Sequence, residues 1–192
     1  MQNKIIYVLA FTGVFSFLTS CKEELPVPKP PTYLRIEVPA SKYISYNDPC
    51  GFEFEMPDMF KLDSTKIATE NCNRVIDLGP LNGSIFLYYW DVEKPLSFYI
   101  NNANDEVGNH KLKATFIGDE QFKYPEKRVF GTRFELQGNV ATPFQFYITD
   151  STDRFLFAEV LFNCTPNYDS LKPTLDRFNQ DLDQLINTFK WK

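Results

Sequence analysis

The sequence predicts an α+β fold in which an antiparallel sheet carries two packed helices. Nineteen Phe, ten Tyr and two Trp among 192 residues suit strands and large buried side chains. Several segments alternate apolar and polar residues with the two-residue period of a half-buried strand. Two others repeat their apolar residues at three and four positions, and strands followed by packed helices define the α+β class. With 43% hydrophobic and 23% charged residues the chain has enough apolar surface to build a core.

The first twenty residues read as an address. Lys4 precedes the uncharged, mostly apolar run Ile5 to Leu18. That run falls short of the roughly 20 residues of a bilayer span and fits a secretory signal peptide. It ends Leu18-Thr19-Ser20-Cys21, which resembles the bacterial lipobox, so Cys21 is the expected lipidation site. Residues 1–20 are therefore expected to be the signal peptide, and residues 21–32 a lipidated Cys with a proline-rich tether. Pro26, Pro28, Pro30 and Pro31 favour extended polyproline II, about 3.1 Å per residue. Residues 33–192 are expected to form a single α+β domain.

Within that body, Phe52, Phe54 and Met56 alternate with Glu53 and Glu55, a strand stopped by Pro57 with both glutamates on its solvent face. Ile85 to Trp90 is apolar on both faces, as in a central strand covered on two sides. After Pro95, the residues Leu96, Tyr99, Ile100, Ala103 and Val107 mark one helix face, with Gly108 as its stop. Phe130, Thr132, Phe134 and Leu136 share a face opposite Arg133 and Glu135. Phe144, Phe146 and Ile148 repeat the pattern against Gln145 and Thr149. Residues 154–162 pair back across the Asp150-Ser151-Thr152-Asp153 turn and complete an antiparallel meander. Leu175, Phe178, Leu182, Leu185, Ile186 and Phe189 stripe a second helix. Its wet side carries Asp176, Asp181 and Asp183, Ser170 caps it, Pro173 falls in its first turn, and Lys190 and Lys192 suit its negative end. This order resembles the Mog1/PsbP-like sandwich, a likeness that carries no function.

The chemistry on offer is sparse. A net charge of −5 argues against nucleic acid, whose phosphates need a basic surface. The single histidine, His110, excludes a multi-histidine metal site. Walker, Rossmann, zincin and nucleophile-elbow patterns do not occur, so no catalytic residue, metal or cofactor is expected. With Cys21 acylated, Cys50, Cys72 and Cys164 remain, and an exported chain favours a disulfide among them. Three single bridges are open, beside the alternative of buried thiols. Cys50 and Cys72 each precede an apolar run, and closing their loop of about 22 residues contributes roughly 3 kcal/mol. Ser64, Ser151 and Ser170 lie in triplets that resemble the protein O-glycosylation sequon of Bacteroidetes and are candidate acceptors.

Longer stretches carry a family likeness. They include Tyr33-Leu34-Arg35-Ile36-Glu37-Val38-Pro39, Cys50-Gly51-Phe52-Glu53-Phe54 and His110-Lys111. They continue with Gly138 through Phe146, Thr149-Asp150-Ser151, Asp169-Ser170 and the ending Phe189-Lys190-Trp191-Lys192. In order along the chain they resemble the gliding motility-associated lipoproteins GldD of Bacteroidetes. The resemblance implies a lipoprotein required for gliding and linked to the type IX secretion and motility apparatus, with other envelope proteins as partners and no catalytic residues. It also places cysteines at Cys50 and Cys72, which favours that pair over bridges to Cys164. The implied role is a non-catalytic assembly or stabilising component. The competing role is a small-ligand or glycan-binding module, with a hydrolase as its lesser form, and a cleft lined by converging polar groups is the feature that favours it. Lys22-Glu23-Glu24 resembles the Bacteroidetes signal for lipoprotein surface display, so the outer membrane is the expected location, with the cell surface ahead of the periplasmic face.

Replacing Cys21 by Ala is expected to abolish incorporation of labelled fatty acid and to release the protein from the membrane fraction. Persistent labelling of that variant contradicts the assignment.

Overall fold

Alternating phenylalanines build the first sheet. The computed structural model of the chain describes residues 41–64 and 72–192. Strand β1 (Tyr43–Asp48) turns at Gly51 into β2 (Phe52–Pro57), and the two pair antiparallel with Tyr46 opposite Phe54. Gly51 adopts φ +85°, a left-handed conformation that glycine enters without steric cost. The last residues add β10 (Lys190–Trp191) to the other side of β2, so the C-terminal segment closes a three-stranded sheet.

The second sheet has seven strands among the described residues: β3 (Lys61–Leu62), β4 (Arg74–Asp77), β5 (Gly83–Asp91), β6 (Ala114–Tyr124), β7 (Val129–Gly138), β8 (Phe144–Thr149) and β9 (Arg154–Phe162). Their order is β3-β4-β5-β9-β8-β7-β6, and every neighbouring pair is antiparallel. The expected meander is present as β7-β8-β9. Helix α1 (Leu96–Gly108) follows β5 and helix α2 (Tyr168–Thr188) follows β9. Among the described residues, two antiparallel sheets with two α-helices make an α+β sandwich rather than one sheet with helices on it.

Side-chain alternation sends β9 into two different environments. Leu156, Ala158, Val160 and Phe162 join Phe52, Phe54, Ile85, Leu87, Phe146 and the apolar stripe of α2 in the main core. Phe155 and Phe157 point to the opposite face, beneath Ala103 of α1. Phe134, Leu136 and Val140 meet Val107 of α1 in a third cluster. The main core is aromatic-rich: Phe52, Phe54 and Phe189 stack in near-parallel array, with centroids 6.0–6.3 Å apart. Each such fully buried ring contributes roughly 1.5–3 kcal/mol through burial alone. Gly131 marks a close approach, because a Cβ there would lie 2.0 Å from the Tyr147 carbonyl oxygen.

Helix α2 departs from expectation in three ways. Its cap is Asn167, whose side chain accepts from the Ser170 N–H at 3.2 Å, so the helix starts earlier and Pro173 falls in its second turn. Asp181 is buried rather than wet, accepting from Ser41 and Tyr43 hydroxyls at 2.8 Å each and pairing with Arg177 at 3.3 Å. Lys190 and Lys192 reach Glu53 at 3.5 and 3.0 Å instead of the helix end, because residues 190–191 run as a strand beside it. Glu55 likewise leaves the solvent face and accepts from Gln184 of α2 at 2.6 Å. In α1, Gly108 belongs to the last helical turn and the cap is the right-handed Asn109.

The two sheets are joined where β1 ends and β4 begins. Arg74 donates to both oxygens of Asp48, at 2.6 and 2.9 Å, and the Asp48 side chain is fully buried. Asp48 also accepts from the Tyr46 hydroxyl at 2.6 Å and the Cys50 amide at 2.8 Å. Beside this pair Cys50 is bridged to Cys72, with Cα atoms 5.8 Å apart. Cys164 is exposed and unbridged.

Asp48→Ala leaves a buried guanidinium without its carboxylate and is expected to cost about 3–5 kcal/mol. Urea denaturation measures this, and a loss near zero contradicts the structural role given to the pair.

Candidate functional site

The α1 face of the large sheet carries the densest set of partly exposed functional side chains. Cross-strand register sets its floor: Tyr88 lies opposite Phe157, Trp90 opposite Phe155, and Phe86 opposite Glu159. The rings touch in sequence, Tyr88 to Trp90 at 6.2 Å, Trp90 to Phe155 at 6.3 Å and Phe155 to Tyr99 at 5.5 Å. Helix α1 forms one wall through Phe98, Tyr99 and Glu106, β5 ends at the rim in Asp91, whose carboxylate accepts from the Tyr89 hydroxyl, and the β5–α1 link supplies Glu93 and Lys94. Together they line an open cleft of about 1110 Å³, large enough for a sizeable ligand. Trp90 stays 42% exposed and Phe98 41%, unusual for rings that have apolar neighbours at hand.

The polar groups here are poorly compensated. Glu159 is half-buried, and its one hydrogen bond among the described residues is a long 3.5 Å contact from the Gln145 amide. Burial, and then the nearby Glu106, hold its carboxyl above the ordinary glutamate range. Burial and the same two carboxylates also raise the Tyr88 hydroxyl. Gln145 is fully buried, and its Oε1 has no partner among the described residues. Its amide nitrogen lies 3.4 Å from His110 Nε2, which is 2.9 Å from the Thr142 hydroxyl. Burial lowers the His110 pKa, favouring neutral imidazole.

His110 thus lies just past the end of α1 with its ring against the hydroxyl of the buried Thr142. This arrangement anchors the helix end to β8 and leaves the hydroxyl little access to an incoming substrate. Among the described residues no group of His, Cys, Asp and Glu is arranged to hold a metal ion. No helix among them is long and apolar enough to cross a membrane.

The residues expected from sequence fall elsewhere. Cys21 lies outside the described residues. Cys50 and Cys72 form the bridge described above, with Cys72 at the edge of the cleft. Ser64 and Ser151 are exposed, Ser151 at φ +70° in the β8–β9 turn, and Ser170 is half-buried in the first turn of α2. That β8–β9 turn is held by Asp150. Burial alone would raise its carboxyl, but amide N–H groups of Thr152, Asp153 and Arg154 bind it and hold it below the ordinary range. Glu159 and Gln145 were not foreseen as site residues. A lone carboxylate inside the apolar run Phe155-Leu156-Phe157-Ala158-Glu159-Val160 was the available signal.

A family model described as gliding motility lipoprotein GldD matches residues 23–191. No curated protein matches the chain.

Because the folded state raises the Glu159 pKa, the carboxylate costs stability at any pH above the ordinary glutamate pKa, in full above the raised value. The cost shrinks as pH falls through the raised value and is gone below the ordinary one. Glu159→Gln is therefore expected to raise the melting temperature at pH 7, with the difference closing toward acid pH. Calorimetry across that range checks this; a lower melting temperature at pH 7 contradicts it.

Proposed function

Since the chain belongs to the gliding motility lipoprotein GldD family, we propose that it is a non-catalytic assembly or stabilising component of the gliding and type IX secretion apparatus, anchored to the outer membrane through Cys21. Family membership carries the gliding role and the membrane association. The observation that carries the finer reading is the cleft on the α1 face, whose exposed rings and carboxylates form a recognition surface on a rigid sheet. The buried contacts of His110 support a structural rather than a chemical task for the lone imidazole. The domain division follows the same logic: residues 1–20 lead export, residues 21–32 tether, and residues 33–192 form the folded body. On this reading the domain stands at the cell surface, in keeping with Lys22-Glu23-Glu24. Glycan on Ser64 or Ser151 would lie at exposed positions outside the lining of the cleft. A small-ligand or glycan-binding module is the second reading, favoured by the converging polar groups of the same cleft.

Deleting the protein is expected to abolish gliding, and His110→Ala is expected to restore it fully when expressed at normal levels. Protease added to intact cells should digest the domain while a periplasmic control survives. Full protection until the outer membrane is opened places the domain on the inner leaflet instead. A gliding defect in the His110 variant at normal abundance contradicts the non-catalytic reading.

A further inference from the structure

We propose that the α1-side cleft binds an extended cationic segment of a partner protein, with its lysine or arginine side chains lying between the aromatic floor and the acidic rim. The proposal rests on reading the cleft as the recognition surface and commits to the chemistry of what fills it.

Charge complementarity is the first argument. Asp91, Glu93, Asp105, Glu106 and Glu159 line the cleft, and Lys94 is the single cation among the described residues that do so. Elsewhere on the protein the buried acids Asp48 and Asp181 pair with Arg74 and Arg177. Glu159 has none among the described residues. A ligand ammonium or guanidinium would supply it and relieve the repulsion from Glu106.

The floor provides the second argument. Aromatic faces attract cations through the ring quadrupole, most strongly for Trp. The cleft already shows this contact in miniature, because Lys94 Nζ sits 4.0 Å from the centroid of Phe98. Trp90 and Tyr88 offer further ring surface beside it.

Length is the third. Glu159 lies opposite Phe86, while the strand's other end carries Trp90 and Asp91. At about 3.4 Å per residue the Glu159 end and the Trp90 end stand roughly 14 Å apart. An extended peptide with cations about four residues apart reaches both ends, whereas a single small cation satisfies one. A neutral glycan would fill the volume and leave Glu159 uncompensated.

The test titrates the full-length lipoprotein in non-ionic detergent with hexalysine, hexaglutamate and a neutral hexasaccharide, read by calorimetry and tryptophan fluorescence. Hexalysine is expected to bind saturably, and the other two are not. The double variant Glu106→Gln/Glu159→Gln should weaken hexalysine binding about tenfold. The control Asp119→Asn/Glu126→Gln, which removes the same charge from exposed positions outside the cleft, should stay within about twofold of the parent. Trp90→Ala, with its melting temperature measured in parallel, should also weaken binding. Equal weakening by the two double variants, absence of hexalysine binding, or preference for the hexasaccharide overturns the proposal. Gliding of a deletion strain tests the family role separately, so failure of one reading is visible without the other.

Discussion

The buried pair of Asp48 and Arg74 is the constraint on which the arrangement of the two sheets rests. Two charges taken out of water cost several kcal/mol unless good geometry and extra hydrogen bonds offset the loss. Here the guanidinium meets both carboxylate oxygens, and the Tyr46 hydroxyl and Cys50 amide fill remaining acceptor positions. The Cys50–Cys72 bridge lies beside it and joins the same two segments covalently. Their combined effect is to fix the end of β1 to the start of β4. Strand β2 then lies over the large sheet, and the C-terminal β10 lies beside β2. Tyr46 shows the local consequence: burial, together with its bond to Asp48, drives its hydroxyl well above the usual tyrosine range.

Fixing that side leaves the opposite face of the large sheet free for a different task. The main core gathers aromatic and aliphatic side chains from β2, β5, β8, β9 and α2. The α1 face has smaller apolar clusters, a half-buried carboxylate, a buried amide oxygen without a partner among the described residues, and exposed rings. Features that weaken a fold and are nonetheless held in place by a strong scaffold are the usual mark of a binding surface. The division of labour is thus one stabilising face and one presenting face of a single sheet.

Much of this was legible in the residues, and the gaps have physical causes. Strands β2, β7 and β8 announced themselves through period two, β5 through a run apolar on both faces, and β9 through its place after the turn at residues 150–153. Both helices showed their stripes. Strand β1 did not, because Tyr43-Ile44-Ser45-Tyr46 has most of its side chains exposed and so lacks a contrast between faces. Strand β6 is an edge with mixed exposure, for the same reason silent. The two-residue strand β10 exists only through pairing with β2, a tertiary event beyond local pattern. Asp181 read as wet from helical spacing, yet Ser41 and Tyr43 arrive from more than 130 residues away to bury it. The cleft was hidden because its walls come from β5, α1 and β9, and only the sheet register brings Glu159 into line with the rings of Tyr88 and Trp90.

The account stands on the claim that the α1-side cleft is the surface through which this lipoprotein serves gliding. Complementing a deletion strain with the triple variant Trp90→Ala/Glu106→Gln/Glu159→Gln tests it most directly, with abundance and melting temperature measured in parallel. The account predicts a stable, normally abundant protein and cells that do not glide. Normal gliding by those cells would contradict it.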